Sequence, residues 1–211
     1  MQKAPDFIQE LEIWSRGFNS IAGVDEVGRG SLSGPVVAGA VIIPSGFSAS
    51  WLAYIKDSKQ LSASRRDFVF SKIKEYKIPW SVGVVDSSRI DAIGIVNATS
   101  EAMLIAIAGL VIAPEFVLVD AIEINVPFIP SKAIIRGDQI SISIAAGSIV
   151  AKVFRDNLMI EQDEIYPEYA FAKNKGYPTE FHRKKLIEIG PCLIHRFSFG
   201  PVDHASQGKS S

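Results

Sequence analysis

Residues 36–43 form an unbroken apolar run rich in β-branched side chains, closed by Pro44. β-branched residues are stiff at χ1 and pack well on a pleated surface. With no polar alternation, such a run reads as a strand covered on both faces. A chain organised around it needs a layer of structure above and below one sheet. The rest of the sequence supplies that layering. Residues 21–27 read as a second strand, ending in the turn Gly28-Arg29-Gly30, and their closeness to 36–43 suits an antiparallel pair. Residues 80–85, 116–119 and 133–135 are further strands, the last two running up to Asp120 and to Gly137-Asp138.

Helical signals fall between these runs. Residues 6–16 are amphipathic, with Phe7, Leu11 and Trp14 on one face. Ser62 reads as the N-cap of a helix to about Tyr76, and Ser88 or Asp91 as the opening of one long helix to about Leu110. A strong helix is expected from Ser141 to about Glu164, and a last one from Thr179 to Ile189. Strands alternating with helices give an α/β class with a mixed sheet. The expected organisation is a core over residues 1–165, a helical extension over 166–203 and a disordered polar tail over 204–211.

Bulk properties narrow the classes. The 211 residues carry a net charge of −1, so composition gives no support to general polyanion binding. It does not exclude a local basic face offset by acidic metal ligands. Cys192 is the single cysteine and forms no internal disulfide, and no Cys/His spacing suggests zinc. The longest apolar run, residues 102–113, is too short to span a bilayer, and the N-terminus lacks a signal-peptide pattern. A reducing, cytoplasmic compartment and a monomer without membrane contact are the expectation.

Asp25, Glu26, Asp120 and Asp138 each lie at or near the C-terminal end of an expected strand, where ligand sites gather in α/β sheets. Carboxylates brought together repel unless a cation neutralises them, and oxygen ligands without His or Cys suit Mg²⁺ or Mn²⁺. The alternative for any one of them is a turn or cap residue. Asp57, Asp86 and Asp91 are read that way. The pair Asp25-Glu26 is different, because it interrupts an apolar strand whose successive side chains face opposite ways. Both reach one site only if the strand ends or twists there, and Gly28 and Gly30 supply that freedom.

The block Gly23-Val24-Asp25-Glu26-Val27-Gly28-Arg29-Gly30, followed by Leu32 and Gly34-Pro35-Val36-Val37-Ala38, resembles the signature of type 2 ribonuclease H, the ribonuclease HII family of bacteria. Further blocks follow in that family's order: Asp57-Ser58-Lys59 with Leu61-Ser62, Val119-Asp120, Gly137-Asp138, Ser143 to Val153 with Arg155-Asp156, Lys175-Gly176-Tyr177, and Gly190-Pro191 with His195-Arg196 and Ser198-Phe199. Ala121 departs from the glycine usual after the third Asp, and Ser31 and Ser33 stand where Pro or Cys and Ala are more usual. Gly147 replaces a common helical Ala, at a cost of about 1 kcal/mol.

The resemblance implies an RNase H-like mixed sheet flanked by helices. It implies that Asp25, Glu26, Asp120 and Asp138 bind two divalent ions, Mg²⁺ or Mn²⁺. It also implies hydrolysis of the RNA strand of RNA/DNA hybrids, including single ribonucleotides in duplex DNA, leaving 5′-phosphate and 3′-hydroxyl ends. By the same resemblance the backbone of Gly28-Arg29-Gly30 tests for the 2′-hydroxyl that separates RNA from DNA, and Tyr177 stacks on a sugar beside the junction. Several contacts carry two readings. Arg29 either braces the turn or meets a phosphate. Ser58 and Ser148 are phosphate donors or local packing hydroxyls. Lys59 and Lys152 are phosphate partners, with a helix-surface charge as the alternative for Lys152. His195 and Arg196 are substrate contacts, with a structural role open for His195. Ribonuclease HIII is the nearest rival. It usually lacks Gly-Arg-Gly and carries an extra N-terminal domain. A resolvase- or transposase-like core would cut DNA without the 2′-hydroxyl, and a silent hybrid-binding module would be expected to lose a carboxylate.

Overall fold

In a computed structural model of the chain, residues 4–207 are described, and the readings made for residues 1–3 and 208–211 lie outside them. In chain order the elements are α1 (Ile8–Ser15), β1 (Ile21–Val27), β2 (Val36–Ile42), α2 (Ala63–Glu75), β3 (Trp80–Val85), α3 (Ser87–Ile93), α4 (Ile95–Ala108), β4 (Phe116–Asp120), β5 (Ser131–Ile134), α5 (Ile142–Ile165), α6 (Phe171–Asn174), α7 (Glu180–Ile189) and α8 (Gly200–Gln207). The strands form one sheet in the order β3-β2-β1-β4-β5. β1 pairs antiparallel with β2, and β2 with β3. β4 joins β1 in parallel, and β5 joins β4 in parallel. The mixed sheet with helices on both faces is the α/β architecture expected.

β2 is buried along its whole length, as an unbroken apolar run requires. Its period of two divides the core. Val36, Ala38, Ala40 and Ile42 pack with Ala98, Ala102, Met103 and Ala106 of α4, whereas Val41 packs with Ala145, Ala146, Ile149 and Val150 of α5. α5 lies unusually close to the sheet. A Cβ on Gly23 would overlap the backbone of Ser143 and Ile144, and one on Gly147 would come within 2.8 Å of the Gly23 and Gly39 carbonyl oxygens. Gly147 is therefore the residue that lets the helix sit on β1 and β2, and its propensity penalty is offset by that packing.

The N-cap read at Ser62 is present, and Ser141 and Thr179, expected as helix starts, cap their helices as well. Ser62, Ser141 and Thr179 accept hydrogen bonds from the N–H groups of Arg65, Ile144 and His182, each contributing about 1 kcal/mol. Two expectations are corrected. The single long helix after β3 is two helices: Asp86, not Ser88 or Asp91, caps α3, and Gly94 at φ 79° breaks the run before α4. Asp91 instead accepts from Phe197 N–H (2.8 Å), Ser198 N–H (2.9 Å) and Ser198 Oγ (2.6 Å), tying the C-terminal segment to α3. The segment read as a disordered tail is helical through Gln207. Val202 of α8 is fully buried against Leu32 and Leu186, which gives that helix an apolar anchor its polar composition conceals.

Candidate active site

β1 lies between β2 and β4, with Val24 opposite Val119, so Asp25, near the end of β1, and Asp120, the last residue of β4, each follow a paired residue on neighbouring parallel strands. Asp25 is opposite Gly39 on β2, whose open α-carbon leaves room for α5, and the Ser148 hydroxyl of that helix favours the ionised Asp25 carboxyl. Asp138 follows β5 in the tight turn Gly137–Gln139, and the Gly137 N–H donates to Asp120 Oδ1. Glu26 points the other way along β1 but lies at its end, where its own N–H donates to Asp25 Oδ1 (2.7 Å).

The electrostatics follow from this placement. Burial, then the charges of Glu26, Asp120 and Asp138, push the Asp25 carboxyl well above the ordinary range, with only the Ser148 hydroxyl opposing them. Glu26 is raised by burial and by Asp120, with Arg29 and Lys59 pulling the other way. Asp138 is raised by burial, by Asp120 and by Asp57. Burial opposes the charge on Lys59, but Asp138, Asp25, Asp57 and Asp120 outweigh it, and its ammonium is held more tightly than usual. Five acids, counting Asp57, against Lys59 and Arg29 leave a net negative centre.

That donor set fits a hard divalent cation: it is oxygen only, mutually repelling, and Glu26 Oε2 is buried with no hydrogen-bond partner among the described residues. Among the described residues no three Asp, Glu, His or Cys side chains are already arranged to hold an ion. Asp25 Oδ1 and Asp120 Oδ1 are engaged by backbone N–H groups instead. Ala121, just after Asp120, is held at φ 53° in the left-handed region. That geometry favours glycine, and it is the physical reason glycine is the more usual residue there.

An open cleft of about 390 Å³ runs from Glu26 and Val27 past Ser58, Lys59, Arg66, Ser148 and Lys152 to Tyr177. Ser58 Oγ and Ser148 Oγ are 2.9 Å apart, and the Lys152 ammonium stands 5.7 Å from the Tyr177 ring centroid. Five of the expected substrate contacts thus share one surface with Glu26. Beside it, Arg29 and Gly30 are exposed, with the Arg29 guanidinium 3.9 Å from Glu26. Gly28 sits at φ 89°, and a Cβ there would overlap the Arg155 guanidinium.

The substrate-contact reading of Arg196 is corrected, and for His195 the structural alternative is the one the fold favours. Both are fully buried, and neither is placed to touch a substrate. Arg196 donates to the carbonyl oxygens of Gly28 (2.7 Å), Arg29 (3.0 Å) and Gly34 (3.0 Å). His195 Nε2 lies 3.0 Å from His182 Nε2. The Cys192 N–H donates to His195 Nδ1, so that nitrogen is unprotonated, Nε2–H donates to His182 Nε2, and His182 Nδ1–H donates to the Tyr177 carbonyl (2.9 Å). The chain of bonds needs both rings neutral. Burial, then the neighbouring His182, lowers His195 to about 4, and burial lowers His182. A depressed folded value means that the unfolded chain binds protons first as pH falls. Stability is complete above about 6.5 and is lost as pH drops from there through about 4, by up to about 3 kcal/mol for His195. His195→Asn should flatten that slope in thermal melts between pH 7 and 4.5, and an unchanged slope would remove the pair as its source.

Residues missed from the sequence include Arg66, which donates to the carbonyls of Ser58 (3.0 Å) and Leu61 (2.6 Å) and pairs with Asp156 at 3.5 Å, while Asp156 also holds Lys152 at 2.7 Å. The Lys152/Asp156 spacing of four was legible on α5. Arg66 carried no recognisable signal, since it holds the Ser58 and Leu61 carbonyls through main-chain atoms that no side-chain pattern marks, and its ion partner Asp156 comes from a different helix.

The description of the family model that matches residues 22–202 is Ribonuclease HII. A ribonuclease HII of Desulfitobacterium hafniense (strain Y51) is 49% identical over 194 residues, covering 92% of this chain and 74% of the relative. The solved ribonuclease H2 from Pyrococcus horikoshii OT3 is similar at a TM-score of 0.76 and 25% identity, over 90% of this chain and 98% of that one. A structure of Bst-RNase HIII in complex with Mn²⁺ shares the fold at a TM-score of 0.65 and 18% identity, over 92% and 71%.

Proposed function

This chain belongs to the ribonuclease HII family and is a ribonuclease H acting on the RNA strand of hybrids, and from that premise we propose that it also incises duplex DNA at single ribonucleotides, with two divalent ions held by Asp25, Glu26, Asp120 and Asp138. The observation that carries this reading is the cluster of mutually repelling carboxylates at the end of β1, beside an exposed glycine turn. Divalent ions bound there, Mg²⁺ or Mn²⁺, supply an activated water and stabilise the leaving 3′ oxygen, so the products carry 5′-phosphate and 3′-hydroxyl ends.

The chain's own groups orient the substrate. Ser58, Lys59, Ser148 and Lys152 offer hydroxyl donors and ammonium charges for phosphates along the cleft. Tyr177, at the far end of that cleft, offers a ring face for the sugar next to the junction. The Gly28-Arg29-Gly30 backbone reads the 2′-hydroxyl, and Arg29 screens Glu26 or meets a phosphate. The extent of the family match and the presence of Gly28-Arg29-Gly30 favour type HII over type HIII. Among the described residues no helix is long and apolar enough to cross a membrane. A cytoplasmic location is supported by the lone, unpaired Cys192.

The test is cleavage of a duplex with one ribonucleotide, with Mg²⁺ or Mn²⁺, beside an all-DNA control. Incision at the ribonucleotide alone is expected. Equal cutting of the all-DNA duplex would point to a DNA nuclease of the same fold.

A further inference from the structure

Two arginines, Arg155 and Arg196, are fully buried, and neither forms an ion pair among the described residues. Burying a guanidinium without a carboxylate is costly unless its N–H groups are all engaged. Here every guanidinium nitrogen donates to a main-chain oxygen, and five of the six acceptors belong to one loop. Arg196 takes the carbonyls of Gly28, Arg29 and Gly34. Arg155 takes those of Ser33 (3.2 Å) and Pro35 (2.9 Å), and reaches the Lys175 carbonyl (2.9 Å) beside Tyr177. The loop leaving β1 is thus held from beneath by its acceptors, with one hand on the Gly28-Arg29 peptides and the other on Ser33 to Pro35.

The outer side of that loop is the complement. Arg29 and Gly30 are exposed, nothing stands within 4 Å of where a Gly30 Cβ would be, and among the described residues the N–H groups of Arg29 and Gly30 have no acceptor. A peptide whose carbonyl is fixed inward has its N–H fixed outward, because the peptide unit is planar and trans.

We propose that Arg196, seconded by Arg155, is a positioning residue for sugar discrimination: by consuming the carbonyls of the Gly28-to-Pro35 loop it aims two free backbone N–H donors at the 2′-oxygen of the substrate. This rests on the proposed reading of the 2′-hydroxyl by that turn. The fixed fork of guanidinium is essential, since an ammonium cannot hold three carbonyls in one plane. A turn displaced by about 1 Å loses on the order of 100-fold in rate where binding geometry sets the chemistry.

The test compares Arg196→Lys with wild type on two duplexes that differ only in carrying 2′-hydroxyl or 2′-fluoro at the junction sugar. Wild type is expected to cut the hydroxyl duplex far faster. In Arg196→Lys the hydroxyl-to-fluoro ratio should fall at least 10-fold, mostly through kcat, while the thermal shift on adding Mn²⁺ is unchanged. A general loss of folded enzyme lowers both rates together and leaves the ratio where it was. An unchanged ratio with an intact Mn²⁺ shift overturns the proposal. Where circular dichroism shows that Arg196→Lys does not fold, wild type carries the test through amide exchange in Ca²⁺. Arg29 and Gly30 should be protected by the hydroxyl duplex and not by the fluoro duplex, and equal protection by both overturns the idea. Failure of wild type to cut the hydroxyl duplex at all would instead defeat the proposed function.

Discussion

Asp25→Asn is expected to abolish cleavage while raising the melting temperature of the metal-free protein. The carboxylate is buried and faces the charges of Glu26, Asp120 and Asp138, so in the absence of a cation its ionisation opposes folding. Asparagine has nearly the same shape and removes that repulsion, which should add about 1 kcal/mol, or roughly 2–4 °C for a chain of this size. The same change removes an anionic metal ligand at the centre of the proposed site. A loss of 1,000-fold or more in kcat is expected, on the order of 4 kcal/mol of transition-state stabilisation. Mn²⁺, which should raise the melting temperature of wild type, should do so much less in the variant. Thermal melts with and without Mn²⁺, beside cleavage of a single-ribonucleotide duplex, check all three. A variant that melts lower without metal, or that keeps cutting, would show that Asp25 is not held as a strained ligand. Trading stability for function is the expected signature of an active-site acid.

The second large effect lies two residues earlier in β1. Gly23→Ala places a Cβ into the backbone of Ser143 and Ile144, and neither the strand nor α5 can yield by rotating a side chain. Overpacking against backbone should destabilise by about 3 kcal/mol or more. The melting temperature should drop by about 6–12 °C. Activity should fall further than the folded fraction, because lifting α5 from the sheet moves Ser148 away from Asp25. Gly30→Ala is the control: its Cβ meets nothing, and its melting temperature should stay within about 2 °C of wild type. Equal stability for the two variants would mean that α5 is not seated on β1 through its glycines.

Two of the departures from the family pattern also have structural meaning. Ser31 and Ser33 are fully buried and among the described residues their hydroxyls have no hydrogen-bond partner, which is why apolar residues suit those positions better. They lie in the very loop that Arg155 and Arg196 hold by its carbonyls, so the loop's order comes from its backbone rather than from these side chains.

The sequence alone determined the features whose causes are local. β-branched runs marked β1, β2 and β3 nearly to the residue, and Ser62, Ser141 and Thr179 marked helix starts, because a cap bonds an N–H three residues on. The pair Asp25-Glu26 stood out as a metal-site candidate because acids that interrupt an apolar strand are conspicuous without knowledge of their neighbours, whereas Asp120 and Asp138 rested on strand-end position and the family resemblance. The tertiary structure decided the rest. The strand order β3-β2-β1-β4-β5 sets Asp120 beside Asp25 across a long sequence gap. Arg196 and His195 read as charged or polar contacts for a substrate, and the fold buried both. A cation's fate depends on whether carbonyls from another segment are there to receive it, and Gly28, Arg29 and Gly34 lie more than 160 residues from Arg196. No local pattern encodes that distance, because the compensating partner is chosen by the packing of β1 against the C-terminal segment and not by the residues on either side of the arginine.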